Sequence, residues 1–349
     1  MKGVRIVGSG LIGTSIALAL STRGICVQMT DSNLDRAALA QDLVGTQGVE
    51  QVDFVVLALP TSQLSQVIQA EFALNPKSVF IDVGSIKTKP LHEIELIPGL
   101  SRRFCGSHPM AGREIGGPEA ARSDLFQGRA WIYTPTPDCD PDVLTNVVEL
   151  IGTLGATPIQ MTPDEHDAAV ALISHLPQIS ASLLAKQLRL GPQAWLALAG
   201  QGVKDSTRIA ASDPRLWREI ITMNRERVRP LLIKMNEDLS NLIREFDDDD
   251  AIEAFMAAGQ AGRGRIPGKH GGRPRDYTHL PIVLEDKPGQ LAALFHECAE
   301  AKVNIEDLSI EHSPGQFTGL ITLALSAIDA EKLSDHLATR GWNVHSPGV

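Results

Sequence analysis

The chain has 349 residues, of which 43 % are hydrophobic and 21 % charged, with a formal net charge of -10. That length exceeds one ordinary domain and leads us to expect two or three, and the composition excludes a disordered chain. The acidic balance argues against nucleic acid and anionic membranes as partners, because both select basic surface, and leaves a small-molecule ligand as the expectation.

The start, MKGVRIVGSG, enters a strand directly and lacks the pattern of a secretory leader, so a cytoplasmic location is expected. No apolar run in the sequence reads as a membrane span of about 18–20 residues. Strands are expected at 4–7, 25–30, 54–59, 79–83, 104–107 and 130–133, alternating with helical stretches. Their nearly continuous apolar character suits parallel strands covered on both faces, so residues 1–161 read as a doubly wound α/β domain. Gly8-Ser9-Gly10-Leu11-Ile12-Gly13 follows the first strand and opens a helix at 14–21. The three glycines would allow a tight turn, a close approach of backbone to a pyrophosphate and close helix packing. Gly8, Gly10, Leu11, Ile12 and Gly13 are therefore candidate cofactor contacts. Eighteen residues past Gly13, the second strand ends at Asp31, whose carboxylate suits ribose hydroxyls and repels a 2′-phosphate. NAD is the expected cofactor.

Farther along, GSHPMAGREIGG at 106–117 holds one histidine among turn-forming residues. His108 falls at the carboxyl end of a strand, where such sheets place ligand-contacting residues. A base that meets a substrate hydroxyl and a histidine that caps a helix are the competing readings; Pro109 and the glycines, which would leave the ring without bulky neighbours, favour the base. From 162 helical patterns take over, opened by Thr162-Pro163-Asp164-Glu165, a capping-box sequence with proline at the first helical position. Asp213-Pro214 opens an amphipathic stretch to about Phe246, expected as one helix of about 45 Å kinked at Pro230. Its long apolar stripe points to a homodimer formed through residues 162–258, with an intrachain bundle as the alternative. Asp247–Asp250 reads as a solvated acidic loop and 259–277 as a linker. Residues 278–349 read as βαββαβ, a ferredoxin-like unit. His166 and His175, nine apart, would face opposite sides of a continuous helix, so they do not suggest a zinc pair. The four cysteines form no C-x-x-C pair, and no metal is expected.

The glycine motif, the loop Asp82-Val83-Gly84-Ser85-Ile86-Lys87, Ser107-His108-Pro109-Met110-Ala111-Gly112 and Ser174-His175-Leu176-Pro177 occur in an order that resembles prephenate and arogenate dehydrogenases. The C-terminal unit, with Asp286-Lys287-Pro288-Gly289-Gln290-Leu291, resembles an ACT domain. The resemblance implies a Rossmann-like domain, an all-α dimerisation domain and an ACT domain, and the NAD-dependent oxidative decarboxylation of a cyclohexadienol in tyrosine biosynthesis. It implies His108 as the base, Ser85 as a polar partner at the same hydroxyl or a helix cap, and Arg208 and His175 as substrate-binding residues. His166 is left to the helix start or a local hydrogen bond, although it also falls in a motif that recurs in the family. Arg113 departs from the family pattern; a cation there would attract the pyruvyl carboxylate of prephenate and repel the ammonium of arogenate, which favours prephenate unless the side chain points to solvent. Tyrosine is the implied effector, near Pro288, Gly289, Asn304 and Ile305, with an ACT unit kept only for dimerisation as the alternative. A different hydroxy-acid dehydrogenase and a non-catalytic nucleotide and amino-acid sensor are the rival functions.

Overall fold

In the computed structural model, which describes residues 1–45, 48–112, 116–266, 277–312 and 318–346, the chain divides into two units, 1–237 and 238–349. The first begins with β1 (Gly3–Val7), α1 (Leu11–Ser21), β2 (Cys26–Thr30), α2 (Leu34–Val44), β3 (Phe54–Leu57), α3 (Leu64–Leu74), β4 (Val79–Asp82) and α4 (Thr88–Glu95). It continues with β5 (Phe104–Pro109), β6 (Ala130–Pro135), α5 (Pro141–Thr153) and β7 (Thr157–Gln160). These strands form one sheet in the order β2-β1-β3-β4-β5-β6-β7. The chain leaves β1 to β2 on one side and returns to β3 on the other, which opens a crevice at the carboxyl ends of β1 and β3.

Both faces of the sheet are covered. Val4, Ile6, Val56 and Ile81 join Ile16, Leu20, Val147 and Leu150 in one core, while Val55, Leu57 and Phe80 join Leu64, Ile68, Leu91 and Ile94 in a second. Neighbouring residues of one strand thus feed opposite layers, as strand geometry requires. The exception in β1, Arg5, reaches Glu71 of α3 with two short bonds of 2.6 and 2.8 Å.

Two features depart from the expected parallel sheet. β6 pairs antiparallel with β5, His108 lying opposite Ile132, and β7, unforeseen in the sequence, pairs parallel with β6. A parallel return needs a crossover, usually an α-helix, and among the described residues the link 110–129 offers only a short 3-10 turn at Pro118–Ala120. The polar sequence of β7, largely exposed at the sheet edge, lacks the apolar run that marked the other strands.

The helical segment of the first unit holds α6 (Pro163–Val170), a π-helical turn (Ala171–His175), α7 (Leu176–Gln187), α8 (Gln193–Leu196), α9 (Gln201–Thr207), α10 (Pro214–Met223) and α11 (Arg225–Arg244), which continues into the second unit. The capping box forms: Glu165 N–H donates to Thr162 Oγ1, and Thr162 N–H to the Glu165 carboxylate. The helix expected from 213 to 246 is broken at Asn224, between α10 and α11, and Pro230 sits inside α11. Asn224 is drawn into buried hydrogen bonds, and that tertiary demand, invisible in the periodicity, sets the break. Together, Pro163–Leu190 are long and apolar enough by length and composition to cross a membrane, contrary to the reading from the sequence. The buried face of this segment carries His166, Asp167, His175 and Gln178, which serve a polar site.

In the second unit, α12 (Asp249–Arg263) replaces the expected acidic loop and the start of the linker. Asp248 caps it by accepting from the N–H groups of Asp250 and Ala251, and the acidic run sits where the helix dipole favours negative charge. The rest of the expected linker, from 267 to 276, lies outside the described residues. β8 (Thr278–Glu285), α13 (Gln290–Glu300), β9 (Asp307–His312), β10 (Thr318–Leu325), α14 (Ala327–Thr339) and β11 (Asn343–Val344) follow. Their antiparallel sheet has the order β11-β8-β10-β9, the arrangement of a ferredoxin-like βαββαβ unit, and Leu280, Ile282, Leu294, Leu323 and Leu333 fill its core.

Candidate active site

The glycine-rich turn joins β1 to α1. Gly8 has φ of +109°, and a Cβ there would lie 2.0 Å from the Ala58 carbonyl oxygen; a Cβ on Gly13 would lie 2.1 Å from the Gly8 carbonyl oxygen. These two glycines let β1, α1 and the end of β3 close on one another. Gly10 differs, since a Cβ there would meet nothing within 4 Å among the described residues. It stands at the start of α1, whose N-cap receives no side-chain hydrogen bond, with the half-buried Leu11 and Ile12 next to it. First-turn N–H groups have no intrahelical acceptors, so this end can receive an anion. Beside it the Ser9 and Thr14 hydroxyls are buried without a hydrogen-bond partner among the described residues. Asp31, at the end of β2, accepts from Ser9 N–H at 2.6 Å and from Asn33 N–H at 2.8 Å, which ties its carboxylate to the glycine turn. Open space at Gly10, an uncapped helix start and unpartnered hydroxyls fit a dinucleotide.

At the carboxyl end of β4, Asp82 organises the next layer. It accepts from Ser107 N–H at 3.1 Å and Gly84 N–H at 3.0 Å and pairs with the buried Lys87, and its backbone carbonyl accepts from Ser107 Oγ at 2.6 Å. This clamp holds the loop 83–87 against β5 just before His108. Ser85 is half-buried on the same loop.

His108 itself is half-buried, and its ring does not stand clear of bulky neighbours as expected. Its Nδ1 lies 2.9 Å from His166 Nε2, with ring centroids 5.1 Å apart and the planes at 69°. His166 Nδ1 lies 2.7 Å from Asp167 Oδ1. The same carboxylate accepts the backbone N–H groups of Lys87 at 2.8 Å and Thr88 at 2.9 Å. His166 thus makes the local hydrogen bond that was one of its two expected roles, and through Nε2 it also reaches His108. His175 is also buried in this region: Asn224 Nδ2 lies 2.7 Å from the Asp167 carbonyl and 3.2 Å from His175 Nδ1, and Trp217 meets the His175 ring edge to face. The expectation of opposite helix faces assumed 100° per residue throughout. The π-helical turn Ala171–His175 has a wider winding that changes the phase between the two histidines.

Burial pushes His108 well below the usual histidine range, reinforced by the positive charges of His166, Lys87 and His175 and opposed by Asp167. Burial likewise lowers His166 against the opposing hydrogen bond to Asp167, and brings His175 down to about 4. For Asp167 burial acts upward, yet the bonds from His166, Thr88 and Lys87 outweigh it and bring the carboxyl down to about 2. The site at neutral pH is therefore a carboxylate behind neutral imidazoles. These shifts imply acid sensitivity. A histidine held neutral when folded binds fewer protons than its unfolded counterpart, so its stabilisation is present above about 6.5 and is lost as pH falls toward the folded value. The thermal midpoint should accordingly fall between about pH 6.5 and pH 4 for His175, and a calorimetric series showing no decline there would contradict this burial.

Arg208 is exposed on a 3-10 turn, Arg208–Ala211, fastened to α7 by a 3.0 Å bond from Gln178 Nε2 to the Ile209 carbonyl. Arg113 lies outside the described residues. In the second unit, Gly289 precedes α13 with φ of +92°, next to Pro288; Asn304 bonds Glu306 at 2.8 Å, and Ile305 packs on the core. Sequence reading missed Asp82, Lys87, His166, Asp167 and Asn224. Asp82 and Lys87 bracket the quoted loop and His166-Asp167 sit in the capping-box segment, but their partners come from distant strands.

A glycine-turn dinucleotide fold with a histidine chain at its carboxyl edge defines a nicotinamide-dependent dehydrogenase. The sequence profile of the prephenate dehydrogenase nucleotide-binding domain matches residues 16–160, and that of the prephenate dehydrogenase dimerization domain matches 162–258. The chain belongs to the prephenate dehydrogenase family and is an NAD-dependent oxidoreductase of tyrosine biosynthesis. A protein of Streptomyces niveus named as a probable prephenate dehydrogenase is 29 % identical over 363 aligned positions, covering 99 % of this chain and 100 % of its own. The prephenate dehydrogenase of Bacillus subtilis is 25 % identical over 350 positions, covering 95 % and 94 %. A crystal structure of the A. aeolicus prephenate dehydrogenase in complex with hydroxyphenyl propionate and NAD+ is 29 % identical with a TM-score of 0.68, covering 76 % of this chain and 98 % of its own.

Proposed function

We propose that the protein converts prephenate to 4-hydroxyphenylpyruvate, with His108 as the base at the substrate hydroxyl. The observation that carries this reading is the placement of His108 at the carboxyl edge of the sheet with its Nδ1 engaged by His166. NAD, when bound, supplies the acceptor for the hydride that leaves the ring carbon bearing the hydroxyl. Gly8, Gly10, Leu11, Ile12 and Gly13 would hold its pyrophosphate and Asp31 its ribose. His108 Nε2 takes the hydroxyl proton as the C–H electron pair departs. When the ring carboxylate leaves as carbon dioxide, the electron pair of the broken C–C bond enters the ring and the proton returns to the oxygen, giving the phenol. Ser85 would bond the same hydroxyl.

Arg208 would bind one substrate carboxylate through its bidentate fork. His175, whose Nδ1 faces the Asn224 amide, carries its proton on Nε2 and can donate to the substrate. Arg113 favours the pyruvyl carboxylate of prephenate over the ammonium of arogenate. The test is steady-state turnover of the purified chain with prephenate or arogenate and NAD or NADP. NADH and 4-hydroxyphenylpyruvate from prephenate support the reading; preference for arogenate overturns the substrate choice, and binding without turnover overturns the catalytic one. Replacing Asp31 with serine should improve NADP relative to NAD about tenfold in kcat/KM, and an unchanged ratio would remove Asp31 from cofactor choice.

We further assign residues 1–161 to cofactor binding, 162–258 to substrate binding and homodimer formation, and 278–349 to an ACT domain. Support for the dimer comes from the exposed apolar side chains Leu190, Trp195 and Leu198 on the helical segment, which a second copy would cover. The apolar helix 163–190 belongs to this role, and the activity is cytoplasmic. Tyrosine would bind near Pro288, Gly289, Asn304 and Ile305 and inhibit. Saturating tyrosine should then raise the thermal midpoint of the full chain and lower its turnover.

A further inference from the structure

We propose that Asp167 and His166 are positioning residues that fix the tautomer of His108, leaving Nε2 as its basic atom. The inference rests on the assignment of His108 as the base and concerns what makes it one. The polarity of the chain is set at its buried end. Asp167 is a carboxylate and therefore only accepts; it takes the N–H groups of Lys87 and Thr88, so the His166 Nδ1 that faces it at 2.7 Å must carry a hydrogen. A neutral imidazole has one proton, so His166 Nε2 is a lone pair. That lone pair lies 2.9 Å from His108 Nδ1, which must then be the donor. His108 Nε2 is left as the acceptor by elimination.

The surroundings hold this state. Asp167, and Asp82 toward His166, are the negative groups that face the two imidazoles, and Lys87, on the loop after β4 and paired with Asp82, adds positive charge beside them. Double protonation of the pair is therefore opposed, and burial acts in the same direction. When His108 does take a proton, the new charge is shared along a bond whose far end is the carboxylate, with no proton passing to Asp167. A carboxylate oriented behind a histidine plays this part in hydrolytic triads, where its replacement by the amide reverses the tautomer. Here a second histidine extends the reach.

The test is to record ¹⁵N–¹H long-range spectra of the histidine-labelled protein without ligands, with His108 and His166 identified through their variants. His108 and His166 should both show the proton on Nδ1. In Asp167→Asn the amide nitrogen, taking the Oδ1 position and giving up the Lys87 bond while its oxygen keeps the Thr88 N–H, donates to His166 Nδ1. The chain reverses, His108 carries its proton on Nε2, and kcat drops roughly 10³-fold with the KM for NAD little changed. The second variant, His166→Gln, leaves the Asp167 bonds to Lys87 and Thr88 in place, so it serves if Asp167→Asn does not fold. It should give a mixture of His108 tautomers and a kcat lower by about 10- to 100-fold. A wild-type His108 protonated on Nε2, or a His166→Gln variant with an unmoved tautomer and kcat within about threefold, overturns the proposal. The spectra need no turnover, so an inactive assignment of His108 and a false relay give different results: the first leaves His108→Asn active, the second leaves the tautomer indifferent to residue 167.

Discussion

Replacing His108 with asparagine should lower kcat by about 10²- to 10⁴-fold while the KM for NAD stays within about twofold. The amide can bond the substrate hydroxyl but cannot take its proton, and it stands at the end of β5, three strands along the sheet from the glycine turn after β1 that would hold the cofactor. The acid limb of kcat/KM adds a second reading of the same residue. Because burial and the neighbouring positive charges push His108 below the usual histidine range, activity should persist to lower pH than an exposed histidine would allow, and then fall as the base becomes protonated. Wild-type rates in the asparagine variant would dismiss His108 as the base. An acid limb at the ordinary histidine value would contradict its burial.

The second large effect is expected at Gly8. Alanine there would place a Cβ 2.0 Å from the backbone oxygen of Ala58, at a φ of +109° that side-chain-bearing residues rarely adopt. Backbone cannot step aside as a flexible side chain can, so β1 and the end of β3 must separate. The combined strain should cost about 3 kcal/mol or more, lowering the thermal midpoint by about 6–12 °C and removing NAD binding. Gly10→Ala is the contrasting case, since nothing among the described residues lies within 4 Å of the added carbon. Its stability should change by no more than about 1 kcal/mol, while the KM for NAD rises because the methyl enters the space left for the pyrophosphate. Equal midpoints for Gly8→Ala and wild type would show that the turn relaxes, and an unchanged KM in Gly10→Ala would move the cofactor elsewhere.

The amino-acid sequence by itself determined the elements whose cause is local. The glycine spacing in 8–13, the apolar runs of β1 to β6, the capping box at Thr162 and the βαββαβ order near the C-terminus all follow from backbone freedom, side-chain periodicity or short-range hydrogen bonding. His108 was legible for the same reason, because a histidine bracketed by proline and glycine at a strand end announces itself within a dozen residues. Tertiary structure decided what depends on partners far apart in the chain. The antiparallel entry of β6 followed from a link without an α-helix among its described residues, and the break at Asn224 followed from bonds to residues 57 and 49 positions earlier. His166 entered the site because β5, 58 residues away, brought His108 against it, and a π-helical turn altered the winding from which opposite faces for His166 and His175 had been expected. A hydrogen bond across such distances depends on direction and on a separation of about 3 Å. Neither is encoded in spacing along the chain, so only the packed fold could set the order Asp167, His166, His108.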